Sequence, residues 1–167
     1  MNSFRGVFLF GFLACLSMLL IAGYFQFIEH LVPCPLCILQ RVMVLIAGVF
    51  FLIGAIHNPV TTGRRIYGFL VFLAAGLGAA ISARHVWIQN LPEDQIPSCG
   101  PGLNFILENF PLSQDVDMVL KGSGECADVL WTFLNLSIPA WTLVAFILMC
   151  LVGLKQLFGQ HKQPDFI

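Results

Sequence analysis

The sequence predicts an all-α membrane protein, a four-transmembrane-helix bundle with two outward loops. Three observations carry this. Of 167 residues, 58% are hydrophobic and only 10% are charged, against about 25% charged in ordinary soluble domains. The apolar residues gather into four long stretches without polar alternation, which favours helices over membrane strands. The few charges fall mostly between those stretches. A soluble globule of this size keeps too much of its chain at the surface to hide so much apolar area, and disorder requires the opposite composition. A formal net charge of −1 without a basic run offers no electrostatic footprint for nucleic acid.

The first stretch, residues 7–28, carries no charge over 22 positions. As a helix it covers about 33 Å, enough for a hydrocarbon core about 30 Å thick. Phe12-Leu13-Ala14-Cys15 hints at a lipoprotein cleavage box. The mostly apolar run continues thirteen positions past Cys15, too far for a signal-peptide core ending there, so this span is expected to stay in the membrane. The second stretch is 38–56, with Gln40 and Arg41 near its start, and Asn58-Pro59 after it is a turn signal. The third is 66–83 and the fourth 138–154, both short for a perpendicular crossing. With outward segments over 29–37 and 84–137, they are expected to form a single membrane domain over 1–167.

Charge sets the orientation. Arg5, Arg64, Arg65, Lys155 and Lys162 fall on one side of these spans, and Arg41, Arg84 and Lys121 on the other. The excess of basic residues marks the cytoplasmic face, so both termini are expected there and the long segment 84–137 faces outward. That segment holds two basic residues against seven acidic ones. Within it, Leu103, Ile106, Leu107 and Phe110 keep the spacing of one helical face, which suits a short interfacial helix or one packed on top of the bundle. Ser98 to Gly102 and Gly122 to Gly124 are flexible flanks.

This topology sorts the six cysteines. Cys15 and Cys150 lie inside spans, where a thiol commonly acts as a small apolar filler. Cys34, Cys37, Cys99 and Cys126 all lie outward, on the side where disulfides persist. Charge bias and thiol placement agree without depending on each other.

Cys34-Pro35-Leu36-Cys37 is a C-x-x-C motif. Proline suits a first helical turn, because its missing N–H has no partner there anyway. Cys37 then sits where free N–H groups and the helix dipole favour a negatively charged sulfur. Arg41 follows four residues later on the same face and adds a fixed positive charge at the membrane boundary, unless it merely snorkels toward water. Cys99 and Cys126, 27 residues apart, by themselves suit a loop-closing disulfide contributing about 3 kcal/mol in the chain-entropy treatment. A four-thiolate zinc site wants knuckle spacing on both halves, and only one half has it, so no metal is expected. Four cysteines allow three pairings, which the residues leave open.

Taken together, the four spans, C-P-L-C followed by Arg41, the second outer pair, and Gly124-Glu125-Cys126-Ala127 leading to Pro139 and Trp141 resemble the disulfide bond formation protein B (DsbB) family over nearly the whole chain. The resemblance implies a thiol:quinone oxidoreductase of the bacterial inner membrane with its cysteine loops in the periplasm. It would reoxidise a periplasmic DsbA-like thiol oxidase and pass electrons to the membrane pool of ubiquinone or menaquinone; the DsbA–DsbB–quinone system is the known example of a periplasm kept oxidising kinetically. By the same resemblance, Cys99 forms the mixed disulfide with the partner, and Cys126 is its pair. Cys34 and Cys37 form the quinone-proximal pair, with Cys37 the donor. Arg41 is quinone-associated, and His85 matches a histidine near the quinone, where it otherwise reads as a boundary histidine. Pro35 within the motif and Arg84 before His85 depart from the family's usual residues. DsbA is a strong oxidant at about −120 mV, and an ordinary structural disulfide below about −300 mV could not oxidise it.

Two other classes compete. A tetraspanin-like, disulfide-stapled scaffold keeps its cysteines mainly in the large loop and has no use for Cys34 and Cys37 beside Arg41. A vitamin K epoxide reductase-like enzyme shares the chemistry with a different loop order.

Overall fold

The computed structural model describes residues 3–31, 33–92, 126–127 and 131–159. The expected interfacial helix over 103–110, the glycines at Gly122 and Gly124, and Cys99 lie outside them. Four helices account for most of the described chain: α1 Ser3–Phe27, α2 Pro35–His57, α3 Thr61–Gln89 and α4 Ile138–Phe158. All four are long and apolar enough to cross a membrane, so the protein is a multi-pass membrane protein of the four-helix kind.

Local chemistry fixes the ends of α2. Cys34 precedes it in an extended conformation (φ −65°, ψ 161°), and Pro35 opens the first turn. At the far end Asn58 turns left-handed (φ 41°), and its N–H bonds the Gly54 carbonyl, one of the few non-glycine residues that tolerates this region. Pro59 and Val60 then lead directly into α3. The long helix α3 runs past Ala83, where the apolar stretch stops, to Gln89. Its last turns are amphipathic: Ile88 and His85 are buried while Trp87 is exposed, and the Arg84 guanidinium covers the Trp87 ring at 4.2 Å. Arg84 and His85 therefore stand on a helix, not in a loop. Hydropathy marks where lipid ends, and the helix continues beyond it.

The helices pack α1 on α2, α2 on α3 and, most intimately, α3 on α4. Glycine makes the last contact possible. A Cβ on Gly68 would stand 2.9 Å from the Gly153 carbonyl oxygen, and one on Gly153 would stand 2.8 Å from the Gly68 oxygen. Small residues that let backbones meet are the usual means of helix association where lipid removes the hydrophobic drive. The central core gathers Phe8, Cys15, Phe51, Val71, Ala75 and Phe146, while Phe10, Leu20, Ile56 and Leu148 face outward, as lipid permits. Cys15 and Cys150 both belong to this central packing, with the Cys15 Sγ 4.0 Å from Met149 Sδ.

Ahead of α4 stands a hairpin, β1 Thr132–Phe133 and β2 Leu136–Ser137, paired antiparallel. Leu134 and Asn135 both take positive φ (52° and 61°), as a two-residue type I′ connection requires. Without an Asn-Gly or Asp-Gly pair the turn gives little sequence signal. Aromatic contacts fix its position. Trp131 stacks on Phe133 and reaches Phe25 of α1 at 5.3 Å, and Trp141 Nε1 donates to the Phe133 carbonyl at 3.1 Å. Ser137 Oγ donates to Gln89 Oε1 at 2.7 Å, tying the start of α4 to the end of α3.

Candidate functional site

A second, smaller core sits at the end of the bundle where α2 begins and α3 ends. It is built from Cys34, Leu36, Ile81, Ile88 and Cys126, with Cys37 packed against it. The sulfurs meet because of the C-x-x-C spacing across a helix start: Cys34 holds the cap and Cys37 lies three residues on, inside the first turn. The two sulfurs are 3.1 Å apart as free thiols, and the Cys37 N–H donates to the Cys34 sulfur at 3.4 Å.

His85 reaches this pair from α3. Its ring is 2% exposed. Nε2 lies 3.8 Å from the Cys34 sulfur and Nδ1 lies 4.0 Å from the Cys37 sulfur. Gln40, one turn beyond Cys37 on α2 and 4% exposed, brings its Nε2 to 3.2 Å from His85 Nδ1. On the other side, His85 Nε2 is 3.1 Å from the backbone carbonyl of Cys126, a residue that is only 1% exposed. Cys34 and Cys37, with Cys126 from far along the chain, thus meet around one imidazole. Cys99 lies outside the described residues.

Arg41 also turns inward. It is half-buried, and its guanidinium donates to Gln26 Oε1 and, at 3.1 Å, to the Ala22 carbonyl, both on α1. The arginine therefore bridges α1 and α2 through two of its five N–H donors. Beside it opens a cavity of about 580 Å³ lined by Cys37, Arg41, His85, Phe25, Met18 and Trp141 among others. Most of the wall is apolar, and Arg41 is its one permanently charged residue among the described residues. This size and composition suit a small-molecule site with a few convergent polar groups. A flat, largely apolar ring with two carbonyl oxygens, such as a quinone, fits these donors and this wall.

Cys34, Cys37 and His85 also bring three metal-type donor atoms within 4.8 Å of one another. The Gln40 amide and the Cys126 carbonyl already stand against the two ring nitrogens of His85, so a metal here would have to displace one of them.

Of the residues singled out from sequence, Cys34, Cys37, Cys126 and His85 come together, and Arg41 flanks them across the cavity wall. Sequence reading passed over Gln40 as a site residue. Its signal was present, since an amide within an apolar span needs a partner. It also passed over Gln26, whose significance appears only once α1 lies against α2.

Residues 4–156 match the family described as disulfide bond formation protein DsbB. The chain is similar to the disulfide bond formation protein B of Nitrosococcus oceani, 56% identical over 155 residues, covering 93% of this chain and 92% of the relative. A relative of the same name from Methylococcus capsulatus is 51% identical over 160 residues, covering 96% and 98%. Another, from Hahella chejuensis, is 50% identical over 143 residues, covering 86% and 87%.

Proposed function

The chain belongs to the disulfide bond formation protein B family, and from that premise we propose that it is a thiol:quinone oxidoreductase that reoxidises a periplasmic DsbA-like thiol oxidase. The observation that carries this reading is the meeting of Cys34, Cys37 and Cys126 in one small core, with Cys34 and Cys37 on the wall of an apolar cavity where Arg41 is the one permanent cation among the described residues.

The exchange runs by thiolate attack through mixed disulfides. A thiolate of the reduced partner attacks Cys99 in a Cys99–Cys126 disulfide, and the electron pair leaves on Cys126. The partner's second thiolate then attacks the mixed disulfide, releasing oxidised partner and leaving Cys99 reduced. Cys126 attacks the Cys34 sulfur of a Cys34–Cys37 disulfide, forming Cys34–Cys126 and leaving the electron pair on Cys37. Cys99 then attacks Cys126, restoring the Cys99–Cys126 disulfide and freeing Cys34, so that both electrons rest on the Cys34–Cys37 dithiol. Quinone, ubiquinone or menaquinone, supplies a two-electron, two-proton acceptor when bound in the cavity. Arg41 favours negative charge at the Cys37 end of that cavity and, fixed to α1 through Gln26 and Ala22, need not reorganise to do so. The apolar wall excludes water from the reacting sulfurs.

Charge distribution supports the orientation, with both termini in the cytoplasm and the cysteine end in the periplasm of a bacterial inner membrane. We take residues 1–167 as one membrane domain.

The test is the purified chain in detergent with reduced DsbA and ubiquinone. Loss of DsbA thiols only when quinone is present is the expected result. Thiols that persist with quinone present overturn the proposal.

A further inference from the structure

We propose that Gln40 and His85 form a positioning pair that docks the Cys126 backbone onto the Cys34–Cys37 couple, holding the second cysteine pair in register for exchange. The inference rests on the thiol-relay reading above and assigns a role to Gln40, which acts only through His85.

The direction of each hydrogen bond follows from one fixed point. The Cys126 carbonyl can only accept, so the His85 Nε2 beside it at 3.1 Å carries the hydrogen. In the neutral ring Nδ1 is then an acceptor, and the Gln40 amide donates to it at 3.2 Å. Gln40 and His85 are both buried, where leaving either partner unpaired is costly. The amide thus holds the tautomer that the carbonyl needs, as the outer partner of a histidine commonly does. Losing the amide takes that donor from Nδ1, and reversing it turns an acceptor oxygen there, which favours the tautomer with its hydrogen on Nδ1.

The same Nε2 that holds the Cys126 carbonyl lies 3.8 Å from the Cys34 sulfur. One ring atom therefore sits against both the backbone of the attacking cysteine and the sulfur to be attacked. The exchange itself is balanced without a proton from the ring. The Cys126 thiolate bonds to the Cys34 sulfur, the Cys34–Cys37 bond breaks, and the electron pair leaves on Cys37. The pair's contribution is to raise the effective concentration of Cys126 at Cys34. Rigid helices supply both members, Gln40 from α2 and His85 from α3, so the docking point is fixed while the cysteine it receives comes from far along the chain.

The experiment uses the full-length chain with Cys37→Ser and Cys99→Ser, leaving Cys34 and Cys126 to pair. The protein is equilibrated in glutathione redox buffers and alkylated, and the Cys34–Cys126 disulfide is quantified by peptide mass spectrometry to give its effective concentration. Gln40→Leu and His85→Phe are each expected to lower that value about tenfold, as for a buried hydrogen bond lost with its partner left bare. His85→Gln, whose amide still offers an N–H toward the carbonyl, is expected to hold the value within about threefold of the parent, since a neutral hydrogen bond is retained. Gln40→Leu is expected to add nothing in the His85→Phe background, because the two act as one unit. An effective concentration unchanged by Gln40→Leu overturns the proposal even if His85→Phe fails to fold, and so does failure of His85→Gln to rescue. The relay reading fails separately: a parent that forms no Cys34–Cys126 disulfide in any buffer has no exchange to position.

Discussion

Arg41→Met removes the one permanent charge from the described cavity wall while keeping a long apolar stem in place. Two consequences can be worked from the geometry. The guanidinium makes two bonds to α1, to Gln26 Oε1 and to the Ala22 carbonyl. Hydrogen bonds to charged groups contribute about 1.5–3 kcal/mol each, so the two give about 3 kcal/mol at the low end; the residue is half-buried and water can reach part of what is exposed, so the stability loss is expected below that, about 2 kcal/mol. If the same cation also favours a quinone oxygen, losing that contact costs a similar amount, which raises the quinone KM about 30-fold. Arg41→Lys falls between the two, because an ammonium cannot span both α1 acceptors as the planar fork does. The assay is the initial rate of quinone reduction against quinone concentration with a small dithiol as reductant, which bypasses Cys99 and Cys126. A KM within twofold of the parent, together with a lowered thermal midpoint, would refute the reasoning and leave Arg41 as a tie between α1 and α2.

Three further outcomes are expected. Cys99→Ala abolishes electron transfer from reduced DsbA while a small dithiol still reduces quinone through Cys34 and Cys37; continued oxidation of DsbA would remove Cys99 from the position where electrons arrive. Gly68→Ala forces a Cβ to 2.9 Å from the Gly153 oxygen, so α3 and α4 must separate at a cost of about 2 kcal/mol, read as a lower unfolding midpoint in detergent. Trp141→Phe deletes the 3.1 Å bond to the Phe133 carbonyl, and amide hydrogen exchange across the hairpin is expected to speed up about fivefold for a bond worth about 1 kcal/mol.

Much of this was legible in the residues, for identifiable reasons. Uninterrupted apolar runs mark α1 and α2 because lipid requires them, and Pro35 marks where α2 begins. The end of α3 was not legible by the same signal. Arg84 to Gln89 are mixed in polarity, yet Ile88 is fully buried and Trp87 is covered by Arg84, so the helix outlasts its hydropathy. The hairpin was hidden because Leu134-Asn135 lacks the glycine that usually announces such a turn. The convergence of Cys126 with Cys34 could not be read from spacing at all, since 91 positions separate the two and the common site exists only where His85, brought to Cys34 by α3, also meets the Cys126 carbonyl. Gln40 shows the opposite failure. The residue was in plain view, but its meaning depended on finding His85 opposite.

The most direct test of the relay is an anaerobic single-turnover stoichiometry with reduced DsbA, the purified chain and a limiting amount of ubiquinone. One quinone reduced for every two DsbA thiols lost, with both processes stopped by Cys34→Ala, is the predicted result. Thiol loss that exceeds or proceeds without quinone reduction, or that survives Cys34→Ala, would contradict a path through the two cysteine pairs.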